Sequence, residues 1–395
     1  MDVTITPCKL HGSIRAIPSK SQAHRFLICA AFADKETIIL CPETNEDIEA
    51  TVHCLQSLGA EITRTSQKYI VRPVTVVPKK AVLHCGESGS TLRFMLPIVG
   101  ALGVDATFVL EGRLPYRPLS PLWEELERNG CKLARPTETT ILCNGQLRPG
   151  CYSIDGSVSS QFITGLLFAL ALLPGKNTLT VTGKVESKPY IDITKDVLLR
   201  FGVKVDNYII EACRPFSSPR NLTVEGDWSN GAFFLAANTI GSRINICGLN
   251  ALSSQGDCAI KDILDRIVIS DITIDAADIP DLVPILSVIS AAKHGATFTN
   301  IRRLRAKESD RVDSVRKMLL QLGVKTETTE NTLRVFPAHF RGCTINSAGD
   351  HRIAMSAAIA STIADGPVTI IDAQCVAKSY PTFWEEFRRL GGQYE

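Results

Sequence analysis

The feature that most constrains this chain is an internal repeat. An apolar helix tail, a glycine and a short strand recur along its length. They appear at Leu55 to Ile62 around Gly59, Leu126 to Leu133 around Gly130, Leu199 to Val205 around Gly202, and Leu319 to Val324 around Gly323. Phe387 to Gly391 supplies another copy, and Ile263 to Ile267 a degenerate one without the glycine. Glycine suits the position just past a helix end because it takes positive φ at little cost. A second series keeps step with the first. Helix starts near Ser19, Ser88, Ser159, Ser229, Pro280 and His351 each lead into small apolar residues and then a β-branched strand, such as Thr37 to Leu40 or Val368 to Ile371. The spacings are 69, 71, 70, 51 and 71 residues.

Two features with one period predict six α/β repeats, the fourth short by about 20 residues. Three repeats give a domain of ordinary size, and no repeat can bury both faces of its helices alone. The chain therefore divides near Val224 to Asp227. The segments Phe162 to Leu173 and Ile353 to Ile363 are apolar nearly all round, which places them centrally.

Composition narrows the function. Lys and Arg number 43 against 41 Asp and Glu, a net charge of +2 that argues against a general polyanion binder but allows a small basic pocket. The longest apolar run, Phe162 to Pro174, is too short to span a bilayer, and MDVTITPCKL has no secretory pattern. The 13 cysteines form no CxxC pair, which suggests a reducing cytosol, mostly buried thiols and no structural metal.

The unusual polar residues gather at helix starts: Ser19-Lys20-Ser21 with His24 and Arg25, Gly86 to Arg93, Ser157 to Gln161, Asp278 to Asp281, and Gly349 to Arg352. A helix N-terminus favours anions, and for any one of these serines capping is the simpler role. Lys20, Arg25, Arg93 and Arg352 instead oppose the helix dipole, so their recurrence at one place in the repeat points to a bound anion. No Walker A loop, GxGxxG or GxSxG is present. Arg305 to Arg311 reads most simply as a solvated, ion-paired helix face.

Together these segments resemble the 5-enolpyruvylshikimate-3-phosphate synthase family. The resemblance runs through Pro18 to Ser21 with Arg25, Gly89 to Arg93, Arg117-Pro118, Ser157 to Gln161 and Ser187 to Tyr190. It continues through Ile279 to Asp281, Lys307 to Arg311, Asp350 to Arg352 and Ala377-Lys378. It implies a two-domain inside-out α/β barrel with three βαβαββ units per domain, residues 14–225 forming one domain and 1–13 plus 226–395 the other, with the active site in the cleft between them. It also implies transfer of the enolpyruvyl group of phosphoenolpyruvate to the 5-hydroxyl of shikimate 3-phosphate, with no cofactor or metal, in a cytoplasmic monomer that glyphosate inhibits in competition with phosphoenolpyruvate.

By the family pattern Lys20, Ser21, Arg25, Ser159, Ser160, Gln161, Ser187, Asp281 and Lys307 bind shikimate 3-phosphate. Lys20, Gly89, Arg117, Gln161, Arg311, Arg352 and Lys378 bind phosphoenolpyruvate. Asp281 takes the 5-hydroxyl proton, and Glu308 and Lys20 are the candidates for proton transfer at the methylene carbon. Two features depart from the pattern. Glu87 and Phe94 stand where Asn and Pro are more familiar, and Asp265 to Asp275 replaces about 20 further residues, roughly one strand pair. The competing readings are the enolpyruvyltransferase acting on UDP-N-acetylglucosamine and a non-catalytic anion-binding relative. The first is disfavoured because Ser21 follows Lys20 and the Arg113 to Pro118 loop has no cysteine.

Overall fold

The computed structural model describes residues 1–211 and 214–395; Cys213 therefore lies outside the described residues. The chain forms two compact units, a continuous one, Pro18–Glu225, and a split one, Met1–Ile17 with Gly226–Glu395. Each has its own apolar core.

The continuous unit contains helices α1 (Lys20–Ala31), α2 (Glu46–Ser57), α3 (Gly89–Leu102), α4 (Leu122–Arg128), α5 (Ser160–Leu172) and α6 (Lys188–Arg200). Its three sheets share one pattern. In the second sheet, strand Lys80–Gly86 runs parallel to Asp105–Leu110, which pairs antiparallel with Thr140–Gly145, and that strand pairs with Cys131–Thr137. The third sheet repeats this with Cys151–Asp155, Lys176–Thr182, Ile209–Glu211 and Val205–Asp206. The first takes its leading strand from the far end of the unit: Asn221–Thr223 lies parallel to Thr37–Leu40.

The split unit contains α7 (Trp228–Thr239), α8 (Ile260–Ile267), α9 (Val283–Ala292), α10 (Arg311–Gln321), α11 (His351–Ser361) and α12 (Phe383–Arg389). Strand His11–Arg15 lies parallel to Arg243–Cys247, which keeps residues 14–17 with this unit rather than with the one that follows them. Val3–Thr6 pairs with Val368–Ile371 and Gln393–Tyr394.

The repeat has a physical basis. Helices α5 and α11 bury nearly every residue, so each needs other elements on all sides. The closing glycines take positive φ, 100° at Gly59 and 89° at Gly323, where a side chain would strain the turn into the next strand. The fifth start differs slightly from expectation. Helix α9 begins at Val283, so Asp281 sits in the preceding turn, and Pro284 occupies the first turn where its missing N–H costs nothing. The thiols are also less buried than the composition suggests. All twelve described cysteines are free, and six of them are buried.

The fourth repeat is abbreviated as its spacing requires. Among the described residues its sheet holds two strands, His11–Arg15 and Arg243–Cys247, where the other five sheets hold four. Arg243 and Cys247 direct their backbone groups to the first strand, through Arg243 N–H to Leu10 O and Ala16 N–H to Cys247 O, each at 2.8 Å. Ile244 therefore faces the side left without a hairpin. There the Asn238 side chain substitutes for a strand: its Nδ2 donates to Ile244 O and its Oδ1 accepts from Ile244 N–H, both at 2.8 Å. Removing both bonds in Asn238→Ala is expected to lower the unfolding free energy by about 1–2 kcal/mol. Urea unfolding checks this, and an unchanged midpoint would mean that water serves the edge equally well.

Candidate active-site residues

In the continuous unit the cations lie at helix starts, as the sequence suggests, but what holds them is not local. Arg25 is 2% exposed. Its Nε donates to Thr194 Oγ1 (2.8 Å), Nη1 to Ser21 O (2.6 Å), and Nη2 to Tyr190 O (2.9 Å) and Thr164 Oγ1 (3.4 Å). The guanidinium carbon lies 5.1 Å from the centre of the Phe94 ring. Phe94, a departure from the family pattern, is therefore a packing surface for this arginine. None of these partners is a carboxylate, and burial draws the Arg25 pKa down to about 9. A buried cation surrounded by neutral groups would be stabilised by a neighbouring anion.

Lys20 is held differently, with Nζ 2.7 Å from Asp47 Oδ2. Arg93 Nη1 donates to Gln161 Oε1 at 2.6 Å, and Gln161 Nε2 donates to Ser90 Oγ at 2.9 Å, which joins the starts of α3 and α5. A Cβ on Gly89 would come within 2.5 Å of Arg117 Nη1, so the space that glycine leaves is taken by the arginine expected to hold phosphoenolpyruvate. Glu87 is exposed and packs over Gly112.

The serines divide into two groups. Ser88 and Ser159 cap their helices, accepting from Thr91 N–H and Gln161 N–H. Ser19 and Ser187 make no side-chain cap. Ser187 is buried with φ of 53°, a left-handed conformation costing a serine about 1 kcal/mol or more. Ser21 is partly exposed, and Ser160 is buried in the first turn of α5.

In the split unit Arg311 is the hub, fully buried rather than on a solvated helix face. Its Nε donates to Asp350 Oδ2 (3.0 Å), Nη1 to Asp281 Oδ1 (2.7 Å) and Nη2 to Glu308 Oε2 (2.5 Å). Burial opposes its charge, but Asp350, Glu308 and Asp281 together hold its pKa above the usual arginine value. Asp281 also meets Arg352 Nη2 at 3.1 Å and Lys307 Nζ at 3.8 Å. Burial pushes the Asp281 carboxyl up, and Arg352, Lys307 and Arg311 more than reverse this, holding it well below the carboxylate range. Lys307 is drawn down by burial to about 8, with Asp281 acting against the shift. Lys378, itself buried, ends a half-buried 3-10 turn, Ala373–Lys378, that packs on α11.

Asp47, Thr164, Thr194 and Asp350 were missed as the partners that place these cations. Asp350 stands inside a quoted motif, yet nothing local marks it as the partner of Arg311. The acidic first turn of α2, Glu46, Asp47 and Glu49, was the one available hint for Asp47.

Cations at helix starts, Arg25 among neutral partners and Lys20, Arg311 and Arg352 balanced by carboxylates, stand on an α/β frame in an arrangement suited to small anions. The comparisons with known proteins are more specific. The family described as EPSP synthase (3-phosphoshikimate 1-carboxyvinyltransferase) matches residues 5–273 and 265–387, and the break falls at the abbreviated repeat. A 3-phosphoshikimate 1-carboxyvinyltransferase of Clostridium kluyveri is 38% identical, covering 100% of this chain and 98% of its own; one of Clostridioides difficile is 36% identical, covering 99% and 98%. The fold is similar to that of an EPSP synthase from Acinetobacter baumannii, with TM-score 0.81, 22% identity, and 100% and 99% of the two chains covered. It is also similar to that of the enolpyruvyl transferase NikO from Streptomyces tendae, with TM-score 0.76, 17% identity, and 100% and 98% covered. The chain belongs to the EPSP synthase family.

His24, on α1 between Lys20 and Arg25, yields a pH prediction. Burial depresses its pKa to about 3; Asp47 acts against this, and Lys20 and Arg25 add to it. The unfolded chain takes up a proton near pH 6.5 and the folded chain does not, so this contribution to stability is lost as pH falls below 6.5. At pH 5 the loss is about 2 kcal/mol. The stability advantage of the wild type over His24→Asn is expected to shrink by that amount between pH 7.5 and 5, read from denaturant midpoints. A constant difference would show that the ring takes up its proton at the same pH in the folded and unfolded chain.

Proposed function

We propose that this protein transfers the enolpyruvyl group of phosphoenolpyruvate to the 5-hydroxyl of shikimate 3-phosphate, releasing phosphate, as the 3-phosphoshikimate 1-carboxyvinyltransferase of aromatic amino acid biosynthesis. The observation that carries this reading is the whole-length likeness to proteins of that name. The chemistry fits the residues. Protonation of the methylene carbon makes the enol carbon electrophilic, the 5-oxygen adds to it, and loss of phosphate with a methyl proton restores the double bond.

In this reading Arg25, with Lys20, Ser21, Ser159, Ser160, Gln161, Ser187 and Lys307, binds shikimate 3-phosphate. Arg25 is suited to a phosphate because its present partners leave its charge uncompensated. Lys20, Gly89, Arg117, Gln161, Arg311, Arg352 and Lys378 hold phosphoenolpyruvate. Arginine forks match carboxylate and phosphate geometry, and they disperse negative charge from the carbon under attack.

Asp281 is the base for the 5-hydroxyl. In the free protein it is ionised, the form a base needs, but Arg311, Arg352 and Lys307 make it a weak one. An anion that draws on Arg311 and Arg352 competes with Asp281 for the same guanidinium groups. The proton affinity of Asp281 therefore rises as phosphoenolpyruvate binds. Glu308, bonded to Arg311 Nη2, is exposed to the same competition. Glu308 and Lys20 are the candidates for proton transfer at the methylene carbon. The reading includes a monomer in the cytosol, and free thiols at all twelve described cysteines support the reducing compartment alone. Among the described residues no helix is long and apolar enough to cross a membrane.

Phosphate release is expected only when both substrates are present, and it should fall in competition with glyphosate against phosphoenolpyruvate. In the same assay Asp281→Asn should retain substrate binding and lose turnover by about 10²- to 10⁴-fold. No release by the wild type with both substrates fresh would refute the enzyme reading, whereas full turnover by Asp281→Asn would refute only the role of that base.

A further inference from the structure

Three buried polar residues of the continuous unit have no part in the functional reading: His24 on α1, Thr51 on α2 and Thr91 on α3, each at most 1% exposed. They form one chain. His24 Nδ1 lies 2.7 Å from Thr51 Oγ1, and Thr51 Oγ1 lies 2.7 Å from Thr91 Oγ1. Thr91 Oγ1 lies 2.8 Å from Ser88 Oγ, which accepts from Thr91 N–H at 3.3 Å. The chain can run in one direction: with Nδ1–H donating to Thr51, each threonine hydroxyl receives one proton and gives one. Three helices distant in sequence are thus tied at a common level.

What the two ends carry gives the chain its interest. At its head, α1 bears Lys20 before and Arg25 after His24 in sequence. At its foot, the first turn of α3 bears Gly89, which lies under Arg117, and Ser90, which accepts from Gln161. Thr91 Oγ1 is also 3.4 Å from the carbonyl of Asp47, whose carboxylate holds Lys20. The ring itself is expensive for mere packing, because Nε2 is buried with no hydrogen-bond partner. An apolar side chain would fill the same space without that cost.

We propose that His24, Thr51 and Thr91 are positioning residues that lock the first turn of α3 to α1, keeping Gly89, Arg117 and Gln161 in register with Lys20 for one substrate anion. The inference rests on the functional reading above in taking that anion to be phosphoenolpyruvate. The hydrogen-bond partners of Arg25, namely Thr194, Thr164, Tyr190 and Ser21, lie outside the chain, so this anchor for shikimate 3-phosphate is held independently, and only the shared residues Lys20 and Gln161 carry a smaller effect to that substrate.

The test uses Thr51→Val, which keeps shape and removes the hydroxyl, Thr51→Ser, which restores it, and His24→Phe, which breaks the chain at its other end. Hydrogen exchange of peptides covering residues 87–94 should quicken in Thr51→Val and His24→Phe and return to the wild-type rate in Thr51→Ser. In steady-state assays the KM for phosphoenolpyruvate should rise roughly three- to tenfold in Thr51→Val, with the KM for shikimate 3-phosphate within about twofold of wild type. Unchanged exchange in both chain-breaking variants overturns the inference. So does an equal rise in both KM values, which would indicate general loosening. If the wild type shows no turnover, the functional reading fails by itself, and the exchange rates still decide whether the chain locks the turn.

Discussion

Everything notable in this protein follows from burying cations where helix dipoles already place positive charge. The dipole penalty is a few tenths of a kcal/mol at a surface and grows when water is excluded. The two units meet that demand in different ways. In the continuous unit Arg25 is surrounded by hydroxyls and carbonyls, which satisfy its donors without neutralising it. In the split unit Arg311 faces three carboxylates. The first arrangement leaves the charge of the cation uncompensated; the second balances it with carboxylates.

Much of the frame was legible in the sequence, because period and turn chemistry are local properties. The closing glycines, the small-residue helices and the shortened spacing are all readable within a window of tens of residues. Arg311 was misread for the opposite reason. The carboxylates that bury it, Asp281 and Asp350, lie 30 and 39 residues away, so its own segment looks like any charged helix face. Asp47, Thr194 and the hydroxyl chain through Thr51 were hidden in the same way. The resemblance supplied the candidate substrate-binding residues, whereas their hydrogen-bond partners come from packing between helices.

The abbreviated repeat shows how a regular architecture tolerates a deletion. A missing hairpin would leave backbone groups of the strand Arg243–Cys247 without partners, and one side-chain amide, Asn238, meets the demand at Ile244. The candidate site residues lie on other repeats, so the shortened one bears on stability without removing any of them.

The two displaced strands have a further consequence, in the order of events during synthesis. The sheet built on Thr37–Leu40 lacks its leading strand until Asn221–Thr223 has been made. The N-terminal strand waits longer still: Val3 pairs opposite Ile370, and Thr6 opposite Gln393. Contacts of such sequence separation form late and slow the approach to the native state. Residues 3–6 are therefore made early and find their place late, and the split unit stays open, with its apolar strands exposed to wrong partners, until residues 393–394 have been made.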